Sequence, residues 1–307
     1  MTRSVMTALL TGAACISASS PAAAQMLDLS RAEDALEASK RMQCGVRDGE
    51  PAVYFWEAKV YSRVEGERDR HLFNGLGMNV RQCTSTTDPQ RGRGWRMVSR
   101  EVMLYLDPNT NEVLRTWRNP WTNEDVTVLH IANDPVNSRG FTYARGADGA
   151  PYRLNAKRHG RWVQMPLEVP LFYTNPLAGE YQDYVGNHYH AMEIFDFAAD
   201  ATELLDTRRN PTVYPSVSWV RISDWMPWMR MGGRGGQMVF NAMGVKLRSF
   251  DELPRALKDE IRTNYPAYVA PPPLDDTRPN ETTWTVFRRW ADEQRARNPQ
   301  AAQPRRE

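Results

Sequence analysis

Residues 95–117 have the sequence WRMVSREVMLYLDPNTNEVLRTW, which predicts a β-hairpin. Side chains alternate along residues 95–107, so one face of that strand carries Trp95, Met97, Ser99, Glu101, Met103 and Tyr105. Residues 107–111 are typical of a turn, because proline fixes its φ angle and asparagine tolerates the left-handed region. We therefore expect the chain to reverse here and residues 112–117 to pair with the preceding strand.

The period-two pattern recurs on both sides of this hairpin. Residues 53–64 alternate apolar with charged side chains, and residues 126–133 alternate again. Residues 71–83 form another extended run, in which Gly75 and Gly77 indicate a bend, a bulge or a close approach of the backbone. Successive strands joined by short turns predict a mainly β fold, an antiparallel meander or a calycin-like barrel, with helices flanking it at the N- and C-terminal ends.

The two ends of the chain differ in composition from the middle. Residues 1–24 combine an early arginine, a short apolar run and three alanines, the layout of a secretory signal cleaved after Ala24. We therefore expect a periplasmic or secreted protein, with no later apolar stretch long enough to span a membrane. Residues 25–269 are expected to form a single β-rich domain. Residues 270–307 are expected to be a proline-rich spacer and a docking helix, whose apolar stripe is Trp284, Phe287 and Trp290.

Charge and cysteine content narrow the classes of partner and the compartment. Lys and Arg number 39 against 37 Asp and Glu, so the chain has no large excess of positive charge that would favour a nucleic-acid partner. Cys44 and Cys83 remain after removal of the signal. In an oxidising compartment they are expected to form a disulfide, and the alternative is two buried thiols.

Residues 181–197, YQDYVGNHYHAMEIFDF, hold two of the five histidines and are the main candidate for a site. If the segment is a strand, His188 and His190 share one face while Tyr189 and Glu193 lie on the other. Only a bulge or a helical turn would bring Glu193 beside His190. The spacing is similar to the first metal motif of cupins, but it has too few residues before the glutamate and no second motif follows.

Three interpretations of this segment remain open. The histidines line a polar pocket, or they perform acid/base chemistry near neutral pH, or they bind a divalent metal such as Zn, Fe or Mn. The metal hypothesis needs a distant third ligand, for which His130 and His71 are the candidates. No cofactor is predicted otherwise.

Long runs of this chain resemble the bacterial family called domain of unknown function 1838. They are FNGLGMNVRQC at residues 73–83, VSREVMLYLDPNTNEVLRTWRNPWTNEDVTVLHIANDPVN at residues 98–137, and GVKLRSFDELP at residues 244–254. The resemblance implies a β-rich and often exported protein. It implies no catalytic residue and no cofactor, so the function must be argued from this chain.

The sequence lacks the motifs of several large enzyme classes. It contains no Gly-x-Ser-x-Gly elbow, no His-Glu-x-x-His helix, no phosphate-binding loop and no dinucleotide fingerprint. We therefore expect an apolar or aromatic small molecule as partner, held in a β-sheet cavity. The main hypothesis is a cofactor-free lyase, isomerase or hydrolase, and the alternatives are a non-catalytic binding protein and a metal-dependent enzyme that uses His188 and His190.

Candidate site residues follow from these hypotheses. The catalytic candidates are His188, His190, Glu193, Tyr189 and Glu101. The candidates for contact with the substrate are Trp95, Tyr105, His130, Trp219, Trp225 and Trp228. Three arginines on predicted strands, Arg81, Arg96 and Arg100, are either partners for a substrate carboxylate or members of surface ion pairs. The glycine-rich residues 232–236 are expected to form a mobile flap over the pocket.

Overall fold

The computed structural model describes residues 26–182, 184–208 and 212–297. The expected signal at residues 1–24 lies outside the described residues. The strands are β1 (Ala52–Arg63), β2 (His71–Asp88), β3 (Gly92–Leu106), β4 (Thr116–Arg118), β5 (Asp125–Thr127), β6 (Ile131–Asn133), β7 (Thr142–Tyr143), β8 (Lys157–His159), β9 (Trp162–Thr174), β10 (His188–Asp200), β11 (Ser216–Ser223) and β12 (Gln237–Leu247). The α-helices are α1 (Ala32–Gln43), α2 (Ala201–Leu205), α3 (Arg255–Asn264) and α4 (Thr283–Arg297).

One large antiparallel sheet dominates the structure. Its strands lie in the order β6-β3-β2-β1-β12-β11-β10-β9-β8, and β7 adds to β3. The predicted mainly β, antiparallel fold is thus confirmed. The barrel form is not observed, because within the described residues β6 and β8 end the order without pairing with each other, so the sheet stays open. Local alternation predicts strands, whereas closure depends on strand number and stagger over the whole sheet.

The turn after β3 forms as predicted, but the pairing beyond it differs. Asn111 adopts a φ of 61°, in the left-handed region that asparagine tolerates. The next segment makes a single bridge to β3, between Val113 and Leu106. It then leaves β3, and β4 pairs with β5 in a separate small sheet. The predicted hairpin is therefore correct at its turn and as far as Leu114, whose amide donates a hydrogen bond to the Tyr105 carbonyl, and wrong over residues 115–117.

The two faces of the main sheet carry different structures. We call the face that bears Trp56, Glu101, Glu193 and Trp219 the inner face, and the opposite one the outer face. Two clusters of buried side chains lie on the inner side. The first includes Phe73, Tyr105, Tyr189, Trp228 and Trp284, and the second includes Met42, Tyr54, Met165, Phe197 and Leu204. On the outer face, α3 covers β1, β2 and β3.

The glycines of β2 allow close packing on the inner face. A Cβ atom placed on Gly77 would lie 2.2 Å from Nε1 of Trp56, and one on Gly75 would lie 2.3 Å from Cε of Met103. Real Cβ atoms do not come so close to other heavy atoms, so Gly77 is needed for the rigid Trp56 ring to fit, whereas at Gly75 the flexible end of Met103 could move aside. Of the three expected reasons for these glycines, close approach is the one that the structure contains.

The flanking helices attach to the sheet at both ends of the chain. A disulfide joins Cys44, just after α1, to Cys83 on β2, as expected. At the other end, Trp284 and Phe287 of α4 are buried in the first inner cluster, and the ring centroid of Trp284 lies 4.8 Å from that of Tyr189. No helix among residues 26–182, 184–208 and 212–297 has the length and apolar character needed to cross a bilayer.

Candidate functional site

A cavity of about 420 Å³ lies on the inner face between the two clusters. Strands toward both ends of the strand order, β2 and β3 at one and β9 and β10 at the other, contribute to the cavity wall. The open sheet therefore curves around the cavity. Trp56, Phe195 and Trp219 supply aromatic surface; the Phe195 and Trp219 rings lie nearly parallel with centroids 6.1 Å apart. Cavities that hold small molecules have this size and are lined by apolar and aromatic groups with a few polar ones.

Two carboxyl groups line this cavity from strands that are distant in sequence. Glu101 lies on β3 and Glu193 on β10. Oε1 of Glu101 accepts a hydrogen bond from Nδ2 of Asn133 at 2.7 Å. Burial raises the pKa of Glu101, and repulsion from the Glu193 carboxylate adds to that rise. Glu101 is therefore a carboxyl group suited to donating or accepting a proton nearer neutral pH than an exposed glutamate.

Arg221 on β11 is a buried cation beside these carboxyl groups. Only 9% of the surface of Arg221 is exposed to solvent. Nε lies 3.6 Å from Oε1 of Glu193, and Nη2 donates a hydrogen bond to Oη of Tyr189. Nε itself has no hydrogen-bond acceptor among the described residues. Buried polar atoms almost always have a partner, so this one indicates a place for a ligand or water.

Arg81 on β2 is a second guanidinium in the cavity wall. Its Nε donates to Oδ1 of Asn79 at 2.7 Å, and its Nη1 donates to Oε1 of Gln43 at 2.6 Å. The guanidinium carbon lies 4.7 Å from the ring centroid of Tyr54. These contacts hold the group in place, and none of them supplies a compensating negative charge.

The two histidines of the main candidate segment do not face the cavity. His188 and His190 are exposed on the outer face, where their rings contact Phe172 with centroids 5.4 and 5.8 Å away. Neither ring lines the inner cavity, so the expectation that both imidazoles look into one enclosed by the sheet is not met, although His188 lines a second, smaller cavity. The strand interpretation had placed Glu193 and Tyr189 opposite the histidines, and they lie there, on the inner face.

The metal hypothesis finds no ligand set. Among the described residues, no group of three or more His, Cys, Asp or Glu side chains is placed to hold a metal ion. His130 is buried, and its Nδ1 accepts a hydrogen bond from the Tyr105 amide at 3.1 Å. Burial lowers the pKa of His130 to about 4, so it is a neutral structural acceptor. His71 stacks on Tyr61 with ring centroids 5.1 Å apart.

The six residues expected to contact a substrate are separated by the structure. Trp219 lines the inner cavity. Tyr105 and Trp228 are packed against each other in the first cluster, with ring centroids 5.3 Å apart. Trp95 lies near the beginning of β3, where it pairs with Ser85 of β2. Of the six, only Trp219 is part of the wall, because the others fill the sheet ends or the core.

A second, smaller cavity of about 330 Å³ lies beside the glycine-rich residues 232–236 and is lined in part by His188, Trp225 and Trp284. Nε1 of Trp225 donates a hydrogen bond to the Arg234 carbonyl at 3.2 Å, which ties the segment to the core. We place the candidate site in the larger cavity, because its wall combines two carboxyl groups and two guanidinium groups with the aromatic surface of Trp56, Phe195 and Trp219.

Sequence analysis missed Arg221 as a site residue. It shares a strand face with Trp219, and a charged residue on the same face as a large aromatic one was the signal available. Trp56, Asn79 and Gln43 were also missed, because each looks ordinary in its own segment and becomes part of the wall only when distant segments meet.

The protein is an open antiparallel sheet that curves around a mainly apolar cavity with a few charged groups in its wall. The chain belongs to the family described as "Protein of unknown function (DUF1838)", whose model matches residues 49–291. This confirms the resemblance seen in the sequence. No curated protein matches the chain.

The search of solved structures gives one weak likeness. It is to the crystal structure of Ail, the attachment invasion locus protein of Yersinia pestis, at 6% identity. The alignment covers 65% of this chain and 98% of that chain, with a TM-score of 0.19. A similarity this low supports no statement about fold or function.

Proposed function

We propose that this protein binds one small molecule with an apolar or aromatic body in the inner cavity. The observation that supports it is the cavity itself: about 420 Å³ between two packed clusters, with Trp56, Phe195 and Trp219 in its wall. Apolar surface contributes binding energy when a ligand removes it from water, roughly 25 cal/mol for each Å². The few polar groups orient the ligand.

A matched pair of variants on β9 tests this proposal. Val169 lines the cavity, and its neighbour Glu168 is exposed on the outer face. Val169→Trp therefore adds an indole inside the cavity, and Glu168→Trp adds the same group outside. The probe is N-phenyl-naphthylamine, a neutral dye that fluoresces in apolar surroundings. We expect Val169→Trp to weaken dye binding at least about tenfold and Glu168→Trp to leave it unchanged; equal affinities would contradict the proposal.

Acid/base catalysis is a second candidate, and Glu101 favours it over the histidines. The group lines the cavity, and burial raises its pKa. A carboxylate removed from water is a stronger base than an exposed one and can abstract a proton from a bound carbon acid. We therefore assign the acid/base role to Glu101, with Glu193 as its charged neighbour. His188 and His190 lie on the outer face and do not have this role.

A generic carbon acid tests this second candidate. Nitrobenzisoxazole is a small aromatic compound that opens to a coloured phenolate when a base removes its proton. We expect turnover above the background rate in buffer, rising with pH as Glu101 ionises and lost in Glu101→Gln. The double variant His188→Ala/His190→Ala is the control and should retain the rate. Turnover that survives Glu101→Gln would exclude Glu101 as the base.

We also propose that the protein is exported. The signal-like residues 1–24 support this, and the Cys44–Cys83 disulfide suits an oxidising compartment. Expression of the full chain in a bacterium with an outer membrane should give periplasmic or secreted protein whose first residue is Gln25. A cytoplasmic product that retains Met1 would contradict the proposal.

A further inference from the structure

The guanidinium of Arg81 is fixed in the cavity wall by neutral groups alone. Asn79 and Gln43 each accept one of its hydrogen bonds, and the Tyr54 ring lies against it. Within the described part of the chain, no carboxylate lies at ion-pair distance from Arg81. The hydrogen bonds of Arg81 to described residues come from Nε and Nη1, and its Nη2 makes none to that part of the chain.

The charges around Arg81 do not neutralise it. Glu101 attracts it through space, but that carboxyl group is hydrogen-bonded to Asn133. Lys246 on β12, which is separated from β2 by β1, is a buried amine whose Nζ donates to the carbonyls of Arg41 and Cys44. Burial, and then repulsion by Arg81, lowers the pKa of Lys246 to about 7. Two basic groups, Arg81 and Lys246, therefore lie near this end of the cavity, with Glu101 and Glu50 as the opposing charges that act on them.

The other cavity arginine is different. Arg221 has Glu193 as a charged partner, with Nε and Oε1 3.6 Å apart, and Tyr189 as a hydrogen-bond acceptor. A buried cation without an anion is costly, because its loss of hydration is not repaid. A guanidinium that is already held in position by neutral contacts loses little entropy when it binds a carboxylate with two parallel hydrogen bonds.

We propose that the ligand of the inner cavity is a small carboxylic acid, whose carboxylate binds Arg81 while its apolar or aromatic body contacts Trp56 and Trp219. This inference rests on the proposed binding function and names the class of ligand. The ligand enters as the anion and supplies the ion-pair partner that Arg81 lacks among the described residues.

Matched pairs of probes separate the head group from the body. Cinnamate and cinnamide, and octanoate and octanamide, differ only in a carboxylate against a neutral amide. Isothermal titration of the purified full chain at neutral pH should give an affinity for the acids about tenfold or more above that for the amides, as expected for a hydrogen-bonded charge in a buried site.

Two variants then test whether Arg81 is the cause. Gln43→Glu has nearly the same shape and places a carboxylate 2.6 Å from Nη1 of Arg81, if the contact of the native side chain is kept. It should abolish the preference for the acids over the amides. Arg81→Met should do the same. Arg63→Met removes an exposed arginine paired with Asp69 and is the control, which should keep the preference.

The results of these titrations test separately whether the cavity binds a small molecule and whether that molecule is a carboxylic acid held by Arg81. Amides that bind as tightly as the acids would overturn the carboxylate assignment and leave the binding function standing. A preference for acids that persists in Gln43→Glu and in Arg81→Met would overturn the role of Arg81. If neither acids nor amides bind, and the neutral dye does not bind either, both proposals fail.

Discussion

The two faces of strand β10 place ionisable side chains in opposite settings. On the outer face, His188 and His190 are exposed beside Phe172, a side chain that is itself 73% exposed. On the inner face, Tyr189 is buried and Glu193 faces the cavity beside Arg221. The residues with the more familiar catalytic chemistry are in water, and the enclosed groups are a carboxylate and a guanidinium. The position of a side chain in the cavity wall is therefore a better guide to the candidate site than the type of residue.

The largest expected effect comes from the covalent link on the inner side. The Cys44–Cys83 disulfide spans 39 residues and attaches the end of α1 to β2. Chain-entropy arguments assign a cross-link of this span about 4 kcal/mol of stability. Cys44→Ala/Cys83→Ala should therefore lose about that much unfolding free energy in urea denaturation. A loss below about 1 kcal/mol would mean that the link does little for the inner face.

Removal of the buried guanidinium should have the next largest effect. Arg221→Met leaves Glu193 without its cation and Tyr189 without its hydrogen-bond donor. We expect a loss of about 3 kcal/mol, at the lower end of the range for a broken buried pair because the Glu193 side chain is 21% exposed. Urea denaturation measures it, and Arg63→Met on the surface is the control. Equal unfolding midpoints for the two variants would show that the inner ion pair of Arg221 stabilises the protein no more than the surface pair of Arg63 does.

A smaller effect is expected in the pH dependence of stability. The folded protein raises the pKa of Glu101 above its ordinary value of 4.5, through burial first and the charge of Glu193 second. The favourable contribution of the protonated group is complete below pH 4.5 and is lost as pH rises through the folded pKa. Glu101→Gln should therefore gain stability relative to wild type as pH rises from that value.

The Asn133 contact sharpens this pH prediction. Its hydrogen bond favours the ionised form of Glu101. Asn133→Ala should therefore raise the pKa of Glu101 further, so that the loss of stability with rising pH continues to a higher pH and becomes larger in total. Denaturation curves measured across the range check both variants. Curves for wild type and Glu101→Gln that stay parallel at all pH values would show that Glu101 is not held in its protonated form.

The smallest effect is expected on the outer face of β10. His188→Ala/His190→Ala removes two exposed rings, and surface substitutions of this kind usually change the unfolding free energy by no more than about 0.5 kcal/mol. Thermal or urea denaturation would check this. A loss of about 2 kcal/mol would mean that the rings are held by contacts beyond the one with Phe172.

The sequence was sufficient to predict the strands, but not which way they face. Residues 188–197 alternate correctly, so the separation of His190 from Glu193 followed from period two. Both faces of that strand carry apolar residues, Ile194 on the outer and Phe195 on the inner, so the pattern did not say which face is inside. That depends on how the whole sheet curves, which no local pattern contains.

The inner charges were hard to predict for a related reason. Arg221 shares its strand face with Val217 and Trp219, and Arg81 shares its face with Gly77 and Asn79, whereas general rules place arginine at the surface. The sequence leaves two roles open for Arg81, a partner for a substrate carboxylate or a member of a surface ion pair. The structure places it in the cavity wall, while Arg96 and Arg100 bind backbone carbonyls of the C-terminal region.

The most direct test of the central claim is a titration with N-phenyl-naphthylamine on two variants, one for each face of the sheet. If the inner cavity is the binding site, His188→Ala/His190→Ala should bind the dye as tightly as wild type, and Val169→Trp should lose at least about tenfold in affinity. The opposite result, with binding lost in the histidine variant and kept in Val169→Trp, would place the site on the outer face and contradict the account.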